Sequence, residues 1–257
     1  MSVSNPPYRK VLVDRTAEEA TATAATLFKT IVCETVGQRG ACRLALAGGT
    51  TPHALYQTLA AGGISGEIPW KNVEVFFGDE RDVPQDNVES NYCMVQRTLL
   101  DHVPVEPTMI HPMRGDSDDL QAAAAEYEQT IRRLVPAGAD GLPRFDLILL
   151  GMGGDGHTAS LFLGSDALHE NHKLVTSHFV PVLGRQRMTF TYPLINAARN
   201  ILLLVTGDDK ARAVLGILGD SPEAKAALPA AAILPADGFL YVVLDGGAAR
   251  LTGLAYA

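Results

Sequence analysis

The stretch FDLILLGMGGDGHTASLFLG (145–164) sets Asp155, His157, Thr158 and Ser160 in a glycine-dense loop directly after an apolar run. An imidazole changes charge near physiological pH, and a carboxylate two residues away can orient it, so Asp155 and His157 form a candidate proton-transfer pair. The alternative is a histidine that only satisfies a structural hydrogen bond. Position favours chemistry. Residues 145–150 are apolar at five positions of six and read as a parallel-sheet strand, and ligands of open α/β sheets sit beyond the carboxyl ends of such strands.

Three more clusters follow apolar runs in the same way. In AGGTTP (47–52), Gly48 and Gly49 let backbone approach a ligand, Thr51 can cap the following helix and Pro52 suits its first turn. Thr50 and Thr51 then sit where unpaired N–H groups could cradle a phosphate; a tight strand-to-helix turn with no ligand is the plainer reading. The GK[ST] ending of a Walker A loop is missing. GDERD (78–82) is either a solvated turn or a mount for Arg81, whose guanidinium, flanked by carboxylates, offers a fork for an oxyanion. In GDDK (207–210), Lys210 opposes the dipole of the helix it opens unless Asp208 and Asp209 neutralise it or an anion meets it.

Other patterns carry less. Gly151, Gly153 and Gly156 match GxGxxG, but Glu170 precedes the next strand instead of ending it, which argues against a dinucleotide. His169 and His172 lack the HExxH spacing and a third ligand, so no metal is expected. Cys33, Cys42 and Cys93 are odd in number and show no CxxC spacing, as reduced packing thiols would.

The elements that must position these clusters are strands alternating with helices. Strand-length apolar runs lie at 11–13, 44–47, 73–77, 145–150, 174–180, 201–205 and 239–244, with helix-like stretches at 52–61, 88–102, 119–134 and 209–218. That order predicts βαβ units, a largely parallel sheet with helices on both faces and right-handed crossovers. Residues 187–192 alternate, with Arg187, Thr189 and Thr191 on one side, as a half-exposed or edge strand would. Ala122–Ala125 and Ala230–Ala232 read as helix-compatible.

A chain of 257 residues with 47% hydrophobic and 19% charged residues suits an ordinary globular protein, and no break in composition divides it, so 1–257 is expected to be a single domain. A net charge of −8 provides no basic footprint for nucleic acid or an anionic membrane, and an anionic ligand must be held locally. No apolar run is long enough to span a bilayer, and MSVSNPPYRK has no apolar core of a secretion signal, so the expected location is cytoplasmic. The oligomeric state stays open between monomer and homodimer.

Taken in order, the four clusters resemble the 6-phosphogluconolactonase family over residues 44–245. The resemblance rests on LALAGGTTP (44–52), FFGDERDVPQDNVESNY (76–92), LGMGGDGHTASLF (150–162), RMTFTYPLINAA (187–198), LLVTGDDKA (203–211) and the PAAAILP and FLYVVLD segments. It implies a modified doubly wound, Rossmann-like α/β fold shared with glucosamine-6-phosphate deaminases. It also implies hydrolysis of 6-phosphoglucono-δ-lactone to 6-phosphogluconate, the second step of the oxidative pentose phosphate pathway. In the roles so implied, His157 is the general base toward water, Asp155 supports it, and Arg81 faces the oxyanion or the phosphate. Lys210 and the loop Gly48, Gly49, Thr50 and Thr51 bind phosphate, and Arg187 contributes further. Asp79 and Asn91 fall on motif positions without a role. The substrate is a small phosphorylated sugar lactone, and an activated ester needs neither redox cofactor nor metal.

Two departures stand out: Leu163 where the family often has proline, and AGGTT where SGGST is common, with Thr50 preserving the hydroxyl. Two rival readings remain. A glucosamine-6-phosphate deaminase typically continues after the histidine with an IAFNEP-like segment supplying a glutamate, whereas this chain continues TASLF (158–162). A sugar-phosphate sensor of a transcription regulator would normally accompany a DNA-binding module.

Overall fold

The computed structural model describes residues 8–256. The first seven residues, part of the segment read as lacking a secretion signal, lie outside the described residues.

Six strands form a parallel sheet in the order β1-β9-β8-β5-β2-β3, where β1 is Arg9–Val13, β2 Cys42–Leu46, β3 Val73–Phe77, β5 Leu147–Leu150, β8 Asn200–Val205 and β9 Phe239–Leu244. From β2 the chain moves outward to β3, then crosses back so that β5 lies on the other side of β2. That reversal is the switch point at which open α/β sheets leave a crevice at their carboxyl edge. All residues of β3 and β5 are buried, the double-sided cover that a helix-flanked parallel sheet demands. The helix Ala17–Arg39 packs against β2, β8 and β9 and against the helix Thr50–Ala60. Most of the buried apolar residues, from Val13 to Ala249, form one contiguous cluster.

A second, antiparallel sheet orders β4-β7-β6, with β4 Asp79–Arg81, β6 Val175–Val180 and β7 Arg185–Phe190. Gly78 joins the two sheets: its N–H donates to Leu46 O at 2.9 Å, and its carbonyl accepts from Phe190 N at 2.8 Å. The chain therefore passes from the parallel sheet into β4 without leaving hydrogen-bonded structure, and the charged run 79–81 is a strand rather than a turn. The expectation of a half-exposed or edge strand near 187–192 is corrected. β7 is the middle strand, paired on both sides, and its last four residues are buried. The polar face that suggested exposure is used inside the protein, where Thr189 bonds to the loop after β5.

Candidate active site

Four segments, three loops and strand β4, meet at the carboxyl edge around the switch point. Together they line a cleft of about 220 Å3 that includes Gly48, Gly49, Thr50, Thr51, Asp79, Arg81, Asn91, His157, Ala159 and Lys210.

The loop after β5 carries the candidate base. Asp155 Oδ1 accepts from His157 Nδ1 at 2.6 Å and from His157 N at 3.2 Å. A carboxylate can only accept, so Nδ1 carries the proton in the neutral ring and Nε2 keeps its lone pair. The ring stacks on Phe162, with centroids 4.1 Å apart and planes 20° from parallel. Two contacts thus fix one imidazole, while 31% of its side-chain surface stays exposed for exchange with the cleft. Burial works to raise the Asp155 carboxyl, but the hydrogen bond and charge of His157, with backbone N–H groups, outweigh it, and the group sits below the ordinary carboxylate range. Gly153 makes room for the pair: a Cβ there would lie 2.2 Å from two atoms of the His157 ring.

Just beyond, Ala159 has φ 48°, the one non-glycine residue with positive φ among the described residues. That conformation costs on the order of 1–3 kcal/mol. It persists because its neighbours are pinned: Thr158 Oγ1 donates to Gly151 O at 2.8 Å, and Ser160 Oγ to Asp79 Oδ2 at 2.7 Å.

The loop after β2 supplies backbone. Gly49, not Thr51, holds the N-cap position of the helix Thr50–Ala60, and no side chain caps it. Thr51 Oγ1 instead pairs with Thr206 Oγ1 at 3.0 Å, joining this loop to the one after β8. The first-turn amides of a helix have no carbonyl one turn back, so an uncapped start presents donors and the positive dipole end to the cleft. Gly48 permits a close approach, since a Cβ there would fall 1.7 Å from Asn91 Oδ1.

Lys210 comes from the loop after β8. Asp245 accepts from Gly207 N at 3.1 and 3.0 Å and from Ala248 N at 2.7 Å, fixing the turn. Lys210 closes the 3-10 turn Asp208–Lys210 and stands at the N-cap of the helix Ala211–Leu218. Its Nζ lies 2.8 Å from Asp209 Oδ2, so Asp209 is its neutralising partner while the ammonium also lines the cleft. The chain's net charge of −8 opposes an anionic ligand only weakly beyond a Debye length of about 8 Å. The nearby charges, Arg81 and Lys210 against the Asp79 and Asp209 carboxylates, together with the loop amides, therefore decide the potential inside the cleft.

Arg81 departs from expectation in its support. Its Nη1 donates to Glu89 O, a backbone carbonyl rather than a flanking carboxylate. Glu80 points the other way and accepts from Arg81 N, Ser90 Oγ, Asn91 N and Tyr92 N, anchoring the start of the helix Asn91–Thr98. Burial raises the Glu80 carboxyl, partly countered by those backbone N–H groups. Asp82 pairs with Arg185 at 3.0 Å and lies 3.5 Å from Arg187 Nη1. Arg187 faces Arg81 across the β4–β7 ladder, is 9% exposed, and is not among the residues lining the cleft. The cleft is thus lined by all the expected residues except Asp155, which reaches it through His157, and Arg187.

Asp79 and Asn91, without a role in the sequence, line the cleft wall. Asn91 Nδ2 donates to Asp79 O at 2.9 Å and Asp79 Oδ1 at 3.1 Å. No periodicity reveals such a contact, since it depends on the start of β4 meeting the start of the helix Asn91–Thr98. Phe162 was equally hidden, although an aromatic residue shortly after a loop histidine is a signal worth reading.

This fold and cleft define a doubly wound α/β protein with an uncapped helix start and a carboxylate-held imidazole at the carboxyl edge of its parallel sheet. The chain belongs to the family of glucosamine-6-phosphate isomerases and 6-phosphogluconolactonases, whose model matches residues 15–242. It is 39% identical over 216 residues to the 6-phosphogluconolactonase of a Synechocystis species, covering 84% of this chain and 87% of the relative. With the Haemophilus influenzae 6-phosphogluconolactonase it shares 37% identity, covering 81% and 86%. Among solved structures, the Trypanosoma brucei 6-phosphogluconolactonase superposes with a TM-score of 0.84 at 28% identity, covering 97% of this chain and 99% of that one. A monomeric glucosamine-6-phosphate deaminase gives 0.76 at 26% identity, covering 94% and 99%.

Proposed function

We propose that this chain hydrolyses 6-phosphoglucono-δ-lactone to 6-phosphogluconate, as a single-domain cytoplasmic enzyme of the oxidative pentose phosphate pathway. The observation that carries the reading is one cleft shared by His157, held by Asp155, and by the Gly48–Thr51 loop with Lys210. The loop amides and Lys210 take the phosphate. Binding that remote dianion places the lactone carbonyl beside His157, and the rate gains from positioning. His157 Nε2 accepts a proton from water as its oxygen bonds to the carbonyl carbon, and Asp155 stabilises the imidazolium that forms. Arg81 faces the developing oxyanion. Collapse breaks the ring C–O bond, the proton passes from His157 to the departing ring oxygen, and the carboxylate is released. Arg187 acts from behind by holding Asp82 and the β4–β7 ladder beside Arg81.

The test supplies freshly generated 6-phosphogluconolactone and follows acid release above the spontaneous rate, with glucosamine 6-phosphate in parallel. Acid release from the lactone is expected. Ammonia release from the amino sugar, or binding without turnover of either, would overturn the proposal.

A further inference from the structure

Ser160 lies three residues beyond His157, is 2% exposed and does not line the cleft. Each of its polar groups nevertheless bonds to a different strand of the antiparallel sheet. The hydroxyl donates to Asp79 Oδ2 on β4 at 2.7 Å, the N–H donates to Thr189 Oγ1 on β7 at 3.2 Å, and the carbonyl pairs with His178 Nε2 on β6 at 2.9 Å. A carbonyl only accepts, so the Nε2–H of His178 is the donor.

From Ser160 the chain of contacts continues. Asp79 takes the Ser160 hydroxyl on one carboxylate oxygen and Asn91 Nδ2 on the other. With its nitrogen so held, Asn91 must turn its Oδ1 toward Gly48, where it is buried without a hydrogen-bond partner. A buried amide oxygen that forgoes a partner is costly, and here the orientation is dictated by the donor side of the same group. The loop after β5 is thus hydrogen-bonded to the Asp79 carboxylate, which in turn holds the Asn91 amide packed against Gly48.

We propose that Ser160 is a positioning residue, and that the relay Ser160–Asp79–Asn91 couples the His157 loop to the Gly48 loop so that the two ends of the cleft hold one spacing. The proposal deepens the lactonase reading and rests on it for the reaction. Without the hydroxyl, the buried Asp79 oxygen loses its donor and the carboxylate is free to turn. Ala159 then loses one of the two pins that hold its left-handed backbone, and Asn91 keeps the Asp79 carbonyl at 2.9 Å but loses the carboxylate oxygen that completes its hold against Gly48.

The experiment measures kcat and KM for the lactone, and calorimetric binding of inorganic phosphate, in wild type, Ser160→Ala, Asn91→Ala and the double variant. Ser160→Ala is expected to lower kcat by about tenfold or more and to weaken phosphate binding severalfold, although residue 160 does not reach the anion loop. The double variant should lose less in kcat/KM than the product of the single losses. If Ser160→Ala does not fold, Asp79→Asn replaces it in the same cycle with Asn91→Ala. Phosphate affinity within twofold of wild type, or losses that simply multiply, would overturn the relay. A wild type that does not hydrolyse the lactone would sink the reaction instead, and the phosphate titrations would still decide the relay.

Discussion

The cleft is built from two glycine loops that use the same residue for opposite purposes. After β2, Gly48 and Gly49 bring the main chain itself forward, and the loop's amides face the cleft. After β5, Gly153 withdraws the main chain so that the Asp155–His157 pair has room, and a side chain faces the cleft instead. In the proposed reaction one loop recognises a charge and the other moves a proton. A methyl group placed in each should therefore damage different steps.

Gly153→Ala is expected to have the larger effect. Its Cβ would fall 2.2 Å from the His157 ring, forcing the imidazole off Asp155, and kcat should drop by roughly 10²-fold with KM little changed. A drop confined to KM would break the comparison. For Gly48→Ala the new Cβ meets Asn91, which is anchored by Asp79 and cannot swing away cheaply. Phosphate-dependent KM should rise by about tenfold, since one displaced charge-assisted contact is worth roughly 1.5–3 kcal/mol and partial relaxation recovers some of it. An unchanged KM with a collapsed kcat would show that both loops serve chemistry.

The smallest expected effect concerns what lies behind the loops. Burial lowers the pKa of His178 from the ordinary 6.5; the backbone hydrogen bonds at Ser160 and Phe179 and the charge of Asp166 oppose this in part, and Arg187 adds to it. The folded protein therefore favours the neutral ring. This stabilisation is complete above pH 6.5 and is lost as pH falls below it toward the depressed folded value. His178→Gln keeps a donor for Ser160 O, so its Tm should fall less than that of wild type between about pH 7 and about pH 5. Parallel Tm curves for the two proteins would remove His178 as a source of acid sensitivity.

Much of this architecture was legible because buried parallel strands announce themselves as unbroken apolar runs: β3 and β5 match the sequence expectation closely, and the four site segments after β2, β3, β5 and β8 follow from it. The helix Ala17–Arg39 was not foreseen. Its buried face is largely alanine and threonine (Ala20, Thr21, Ala24, Ala25, Thr35), which contrasts little with its exposed face. The signals available were at its ends: Thr16 and Glu19 form a reciprocal capping box, and Gly40 ends the helix with φ 78°. β4 was hidden for another reason. Asp79, Glu80 and Arg81 look like a solvated run, yet Asp79 and Glu80 are buried because Ser160, Asn91, Ser90 and backbone N–H groups satisfy their carboxylates. Sequence spacing shows which residues can do chemistry, but long-range partners decide which face of a strand they occupy.

The division of labour between the two loops is tested most directly by measuring kcat for the lactone together with the calorimetric affinity for 6-phosphogluconate in His157→Ala. A loss in kcat of roughly 10²-fold or more, with affinity within a few-fold of wild type, is the predicted result. Affinity falling as steeply as kcat in a folded variant would contradict it, because the imidazole would then be holding the ligand rather than moving its proton.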